Sequence, residues 1–408
     1  MRDLHVHTLD NGFEIRHLKR DLRSGLFYAK LNADVGTAYE APNEHGLAHF
    51  LEHMLFEGDG VGYGPIKYKF SMNGRFNATT AIDEISVEGV VTAQDSKKFL
   101  EELSQSTYAP NFSDVDIESE RKVIEVERLE SSGNPQEVFD DRFFRYFYKK
   151  SPVRRNGVLN ILGPRQNIKS FTRKNMMDFH ERWITPERLT LYIVSKDLDM
   201  DLIQEYFGQI NKSRTDFHFE RENRLDRIEK RVANNRGDLG MMMIGWQIQD
   251  LTYEQYIKLK GLHLLMETDI EIPGLSRTLR KKGLIYSLGV NFETDFSERR
   301  FTFGTQFERG SAPKIIKIVM DEFEKFRDGK IDPAILDIVI QRYIVKQRSD
   351  FDNPEEAINT MDWEKSSNIT VEKYLKSLSE LSGSDIQEAA QFISPDKYFL
   401  LSTENSLD

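Results

Sequence analysis

Asn134-Pro135-Gln136-Glu137-Val138 ends a long helical stretch, and Asn353-Pro354-Glu355-Glu356-Ala357 ends another of matching length and placement. The offset between them is 219 positions, 134 to 353. A repeat at that spacing constrains the chain to two related halves of about 200 residues, each burying its own core. The total of 408 residues is also more than one compact core holds. Strand and helix patterns recur in the same order in both halves. The expected class is α+β, with two homologous α/β-sandwich halves related by internal duplication. The expected boundaries are 1–210 for the first half, 211–238 for a charged linker poor in apolar periodicity, and 239–408 for the second half.

In the first half, strands at 5–8 and 13–18 flank Leu9-Asp10-Asn11-Gly12, a hairpin signal through Asn-Gly. A further strand pair is expected at 25–33, a helix at 44–56 and a strand at 77–91. Helices follow at 96–105, 115–130 and 170–182, with a closing strand at 190–194. The second half reads as strand 241–246, helix 253–265, strands 285–292 and 301–307, helices 312–326 and 333–346, and a last strand at 398–402. Gly58-Asp59-Gly60-Val61-Gly62-Tyr63-Gly64 lacks a following Gly-Lys-Ser/Thr, so it reads as a flexible loop and not a phosphate cradle.

Composition narrows the chemistry. There is no cysteine, which excludes disulfides, thiol catalysis and cysteine-ligated zinc. The formal net charge of -11 argues against nucleic acid as a partner, because neutralising phosphates needs basic surface. Residues 1–5 show no apolar signal region, and no apolar run reaches the roughly 18 residues of a spanning helix. A cytoplasmic protein with no membrane partner is the expectation.

His49-Phe50-Leu51-Glu52-His53 carries the strongest chemical signal. Two histidines four apart on a helix share one face and can hold one zinc ion. Glu52 lies at the edge of that face, where a carboxylate can act as general base without ligating the metal. Zinc lowers the pKa of its water to about 7, so such a base completes a nucleophile. Leu47, Phe50, Leu51, Met54 and Leu55 are left to bury the helix. A third ligand must come from elsewhere. On the helix at 117–130, Ile117, Glu120, Ile124 and Glu127 form one stripe, placing two carboxylates on an otherwise apolar face. Buried carboxylates must be paired or metal-bound. Periodicity does not say which of Glu120 and Glu127 meets the metal. Glu118, Arg121, Lys122 and Glu125 lie on the opposite, solvated side. At the repeat offset, Glu120 falls on Val339 and Glu127 on Lys346, so only the first half is expected to bind metal.

His49-Phe50-Leu51-Glu52-His53, within 46–56, resembles the inverted zinc motif of the pitrilysin family of inverzincins, which includes insulin-degrading enzyme and mitochondrial processing peptidase. The resemblance covers nearly the whole chain, including Trp183-Ile184-Thr185-Pro186-Glu187-Arg188. It implies a zinc-dependent endopeptidase that hydrolyses unfolded peptides or processes a precursor, with His49, His53 and Glu127 on the metal. Glu52 is implied as the base and Glu120 as support behind a ligand. Asn73-Gly74-Arg75-Phe76-Asn77-Ala78-Thr79 resembles the family's substrate-pairing edge strand, which implies substrate binding at Asn77 and Ala78. Leu279-Arg280-Lys281-Lys282-Gly283-Leu284-Ile285-Tyr286 resembles its arginine–tyrosine pair, so Arg280 and Tyr286 are implied to hold substrate and the transition state. Their spacing is six where the family has seven, and Arg277 competes with Arg280. Short family members pair, so a homodimer or a heterodimer with a related subunit is implied, each chain supplying half of a clamshell chamber.

The alternative is a non-catalytic or half-site partner subunit of a heterodimeric peptidase with this fold. The presence of all four motif residues favours the enzyme. Elsewhere, His5 and His7 read as outward residues of an alternating strand, not as the metal pair of an amidohydrolase barrel. His45 reads as a first-turn or supporting residue of the metal helix. His17, His180, His218 and His263 have no companions.

Overall fold

The computed structural model of the protein describes residues 3–22, 25–56, 74–148, 161–209, 217, 227–233, 238–248, 250–268, 271–294 and 299–404. Residues 58–64, Asn73, His218 and most of 211–238 lie outside them. By internal contacts the chain divides into two compact units. One is Met1–Asn134, Lys150–Glu220 and Phe351–Asn368, and the other is Pro135–Lys149, Arg221–Asp350 and Ile369–Asp408.

The first unit opens with β1 (Leu4–Thr8), β2 (Glu14–Lys19) and β3 (Leu26–Ala33), then α1 (Leu47–Phe56). After it come β4 (Gly74–Thr80), β5 (Ile85–Thr92), α2 (Ser96–Tyr108) and α3 (Asp114–Gly133). Asn134 separates α3 from α4 (Pro135–Phe147), which belongs to the second unit. The first unit resumes with α5 (Arg165–Ser170), α6 (Arg173–Trp183), β6 (Leu189–Ser195) and α7 (Met200–Phe207). Its sheet runs β1-β2-β6-β3-β5-β4, with β2 and β6 parallel and the other neighbours antiparallel.

The second unit contains β7 (Glu229–Val232), β8 (Leu239–Gln247), α8 (Tyr253–Met266), α9 (Leu275–Lys281), β9 (Ile285–Thr294) and β10 (Arg299–Glu308). It continues through α10 (Ala312–Arg327) and α11 (Pro333–Asp352). Then α12 (Pro354–Ser367) belongs to the first unit, and α13 (Val371–Ser379), α14 (Gly383–Ala390) and β11 (Phe399–Ser402) return to the second. This sheet runs β7-β11-β8-β10-β9, with the single parallel pair β7/β11 at one end. Stripped of β1, the first sheet has the same order and the same sense at every neighbour. The duplication expected from the repeat is therefore written in the topology, and the class is α+β.

The two Asn-Pro turns carry more than the repeat. After each, the next helix packs in the other unit. On the first sheet, α12 sets Ala357, Ile358 and Met361 against Leu18, Tyr192 and Val194. Tyr192 donates to Asp362 at 2.6 Å, and Lys30 Nζ lies 3.0 Å from the same carboxylate. With apolar helices on its other face, β6 is buried at every position, as a doubly covered strand must be. In the second unit, Phe143 and Phe147 of α4 pack on Phe399. The helix runs so close to β8 that a Cβ at Gly245 would sit 2.8 Å from the Phe143 ring.

Some expected elements differ. Residues 25–33 hold one strand, not a pair. Residues 77–91 hold parts of β4 and β5, joined by a turn at 81–84 that Ala81 N–H closes on Glu84 O at 2.8 Å. The charged span 211–238 contributes the edge strand β7. His5 and His7 are exposed on β1, at one edge of the first sheet.

Candidate metal centre

α1 is ten residues long, and every residue but His49 is buried. Leu47, Phe50 and Leu51 are fully buried against the first core, which leaves one polar edge carrying His49, Glu52 and His53. α3 lies against it. Ser113 caps α3 by accepting from Asp116 N–H at 3.1 Å, which starts the helix in the right phase. Ile117, Glu120 and Ile124 are buried, and the Glu127 side chain is 40% exposed.

This packing brings four groups together. Glu127 Oε2 is 3.7 Å from His49 Nε2 and 3.5 Å from His53 Nε2. One donor atom from each of these three residues falls within 4.8 Å of the others, the only such set of three or more among the described residues. Two zinc bonds of about 2.0–2.1 Å at a tetrahedral angle put ligand atoms about 3.3 Å apart. The donor set and its spacing fit a zinc ion. Glu52 Oε2 is 3.9 Å from His49 Nε2, beside the set and not in it.

The two carboxylates of α3 have separate contacts. Glu120 meets the far nitrogen: His53 Nδ1–H donates to Glu120 Oε2 at 3.1 Å, which points Nε2 toward Glu127. Burial pulls the His53 pKa down, but the Glu120 hydrogen bond and the charges of Glu52 and Glu127 outweigh it and leave it raised. His49 is the opposite case. Burial, aided by His53, lowers its pKa to about 3, so its imidazole is neutral, the form that ligates a metal.

Thr80, at the end of β4, donates to Glu52 Oε2 at 3.4 Å. Sequence reasoning missed it. Its alternation with Phe76 and Ala78 on β4 was the available signal, since those positions turn toward the core. Arg121 is a correction: it is not solvated but reaches across to donate to Ile168 O and, at 2.8 Å, to Phe171 O.

The remaining candidates are placed as follows. Asn77 and Ala78 lie on β4, the other edge of the first sheet, and Asn77 Nδ2 donates to Glu88 at 3.2 Å. Tyr286 is the second residue of β9 and is 80% exposed. Arg280 stacks over its ring at 5.0 Å, whereas Arg277 donates to Glu271 O at 3.3 Å. The link between α9 and β9 is a left-handed turn. Gly283 has φ +68°, its N–H donates to Arg280 O, and Leu284 N–H donates to Leu279 O. Three lone histidines have structural partners: Ser195 for His17, Thr107 O for His180 and Val290 O for His263.

These features define a class: a duplicated α+β chain with an inverted His-x-x-Glu-His helix in one half. A family model described as Insulinase (Peptidase family M16) matches residues 26–158, and one described as Peptidase M16 inactive domain matches residues 170–343. The chain belongs to this M16 family. An uncharacterized zinc protease of Rickettsia bellii is 29% identical over 177 residues, 43% of this chain and 42% of that protein. The human mitochondrial-processing peptidase subunit beta is 31% identical over 180 residues, 43% of this chain and 36% of the subunit. The chain thus spans less than half the length of these curated relatives. A protease structure from Helicobacter pylori superposes with a TM-score of 0.87 at 18% identity, covering 98% of both chains. A Peptidase M16 inactive domain from Pseudomonas fluorescens superposes at 0.84 and 14%, again over 98% of both. At such identities these two likenesses speak for the fold. Among the described residues no helix is long and apolar enough to cross a membrane.

Proposed function

We propose that the chain is a zinc-dependent endopeptidase acting on unfolded peptides or a precursor peptide, with His49, His53 and Glu127 holding the metal. The observation that carries this reading is the Glu127 carboxylate within 3.7 Å of both Nε2 atoms, with Glu52 beside them. Bound there, zinc supplies Lewis acidity, polarising a substrate carbonyl and acidifying a water. Glu52 takes the proton of the attacking water and passes it to the leaving amine. Thr80 holds the carboxylate while it does so. Glu120 fixes the His53 ring.

β4 takes the substrate in this reading. From the Ala81–Glu84 closure, antiparallel pairs alternate, so Ala78 turns its backbone N–H and C=O away from β5 toward the sheet edge. A peptide added there binds through its backbone, and Asn77 lies beside it. Arg280 and Tyr286 keep the substrate-holding role that the resemblance gives them. The half-site alternative stays open through the six-residue spacing of that pair. Dimerisation with a second copy or a related subunit is part of the same proposal.

The test is zinc content and kcat/KM on a fluorogenic peptide with the purified chain alone. One zinc per chain and turnover are expected; zinc without turnover supports the half-site reading. Tyr286→Phe and Arg280→Ala should each keep zinc and lower kcat/KM by roughly 10–1000-fold, the scale of losing one transition-state donor. Arg277→Ala should stay near wild type, since its side chain is engaged by Glu271 O and not Tyr286. Full activity in the Tyr286 and Arg280 variants would mean that the chain does not use its own pair.

A further inference from the structure

The two histidines of α1 are held differently. His53 has an outer arm, its Nδ1–H on Glu120. His49 has none: its Nδ1 is buried and has no hydrogen-bond partner among the described residues. Ligating histidines ordinarily have such an arm, which fixes the ring. The direction of the His49 ring therefore depends on the backbone that carries it, the first turn of α1.

That turn is tied down by a distant side chain. A helix start leaves several N–H groups without helical partners, and a Ser, Thr, Asp or Asn at the cap usually takes one. The residue before α1 is Gly46, which has no side chain to offer. Glu40 does the work from outside the helix. Its Oε1 accepts from Gly46 N–H at 3.1 Å and from Ala48 N–H at 2.8 Å, and its Oε2 lies 3.2 Å from the same Gly46 nitrogen. The Glu40 side chain is wholly buried, with His45 Nδ1 3.5 Å away. A buried carboxylate is costly, so its full use on two backbone groups marks a fixed point. Gly46 itself is clamped: it has φ +93°, and a Cβ there would lie 2.7 Å from Ile168 Cδ1 and 2.9 Å from Leu162 O.

We infer that Glu40 is the positioning residue for His49, doing through the backbone at 46–48 what Glu120 does directly for His53. Glu40 is outside the three-donor set and acts only by fixing where the first turn points. The inference rests on the reading of His49, His53 and Glu127 as the metal site.

The test is zinc affinity of the full chain, measured by competition with a chromophoric chelator, alongside the melting temperature. Four proteins are compared: wild type, Glu40→Ala, Glu40→Gln and Glu44→Ala. Glu44 is the control from the same loop. It accepts from Ala41 N–H at 3.0 Å and pairs with Arg182 at 2.6 Å, but its side chain has no bond to the start of α1. Glu40→Ala should lose about 10–100-fold in zinc affinity, the scale of removing a residue behind a ligand. Glu40→Gln keeps one acceptor oxygen and should lose less. Glu44→Ala should melt earlier yet bind zinc as wild type does. A merely structural Glu40 would lower the melting temperature of its variants and leave the zinc affinity of the folded protein unchanged, and that result overturns the inference. If Glu40→Ala does not fold, the glutamine variant decides alone: weakened binding supports the role, wild-type binding removes it. A wild type that binds no zinc sinks the metal-site reading and this inference with it. A wild type that binds zinc with unchanged Glu40 variants sinks only this inference.

Discussion

Glu52→Gln is expected to keep its zinc and to lose about 10²–10⁴-fold in kcat/KM, the share of a rate that a positioned general base supplies. The substitution is nearly isosteric, so the α1 packing around a side chain in a 7% exposed residue should survive. Glutamine can still accept from Thr80, so the carboxamide should sit where the carboxylate sits. What it cannot do is take a proton from water. Because Glu52 lies 3.9 Å from His49 Nε2 and outside the three-donor set, metal content should not change. Zinc is measured by atomic absorption and turnover on one fluorogenic peptide. Turnover near the wild-type rate would remove Glu52 from the mechanism. Loss of zinc in this variant would instead make Glu52 a ligand.

How far the site could be read in advance depended on range. Contacts within one helix obey fixed geometry, so His49 and His53 could be set on one face, and Glu120 and Glu127 on another, from spacing alone. Periodicity could not choose between the two glutamates. That choice depends on how α1 and α3 cross, which sets Glu120 against Nδ1 of His53 and Glu127 near both Nε2 atoms. Glu40 was out of reach for a related reason. Cap signals are sought in the residue next to a helix, and this cap comes from six residues before Gly46. The β4–β5 turn, Ala81-Ile82-Asp83-Glu84, contains no Gly, Asn or Pro, and Asp83 alone is too weak a turn signal to break the strand pattern. The helix exchange is the clearest case. Each Asn-Pro was legible as the end of a long helix but not as the start of α4 or α12, and the destination of α12 is decided by partners such as Tyr192, 170 positions away from Asp362. The expectation that only the first half binds metal, by contrast, rested on single residues, Val339 and Lys346 at the places of Glu120 and Glu127.

Exchanging one oxygen for nitrogen on each carboxylate of α3 should separate the two roles. Glu127→Gln should lose zinc affinity by more than about 100-fold, beyond the 10–100-fold that residues behind a ligand contribute. A neutral amide oxygen is a poorer ligand than a carboxylate, and no other acid among the described residues joins the two histidines in a three-donor set. The 40% exposure of the Glu127 side chain means that the fold should tolerate the change, so the loss is read in metal and not in melting temperature. Glu120→Gln should fall in the milder range. Its amide oxygen can still accept from His53 Nδ1–H, which keeps the ring in place, but without the charge that favours a basic Nε2. Glu120 is buried, so this variant should also lose some stability, the reverse of the Glu127 pattern. Dissociation constants for zinc, with thermal melts on both apo-proteins, give the comparison. If affinity fell only in the Glu120 variant, the ligand and its support would be interchanged. Equal, small losses in both would mean that the metal takes its third protein ligand from outside α3.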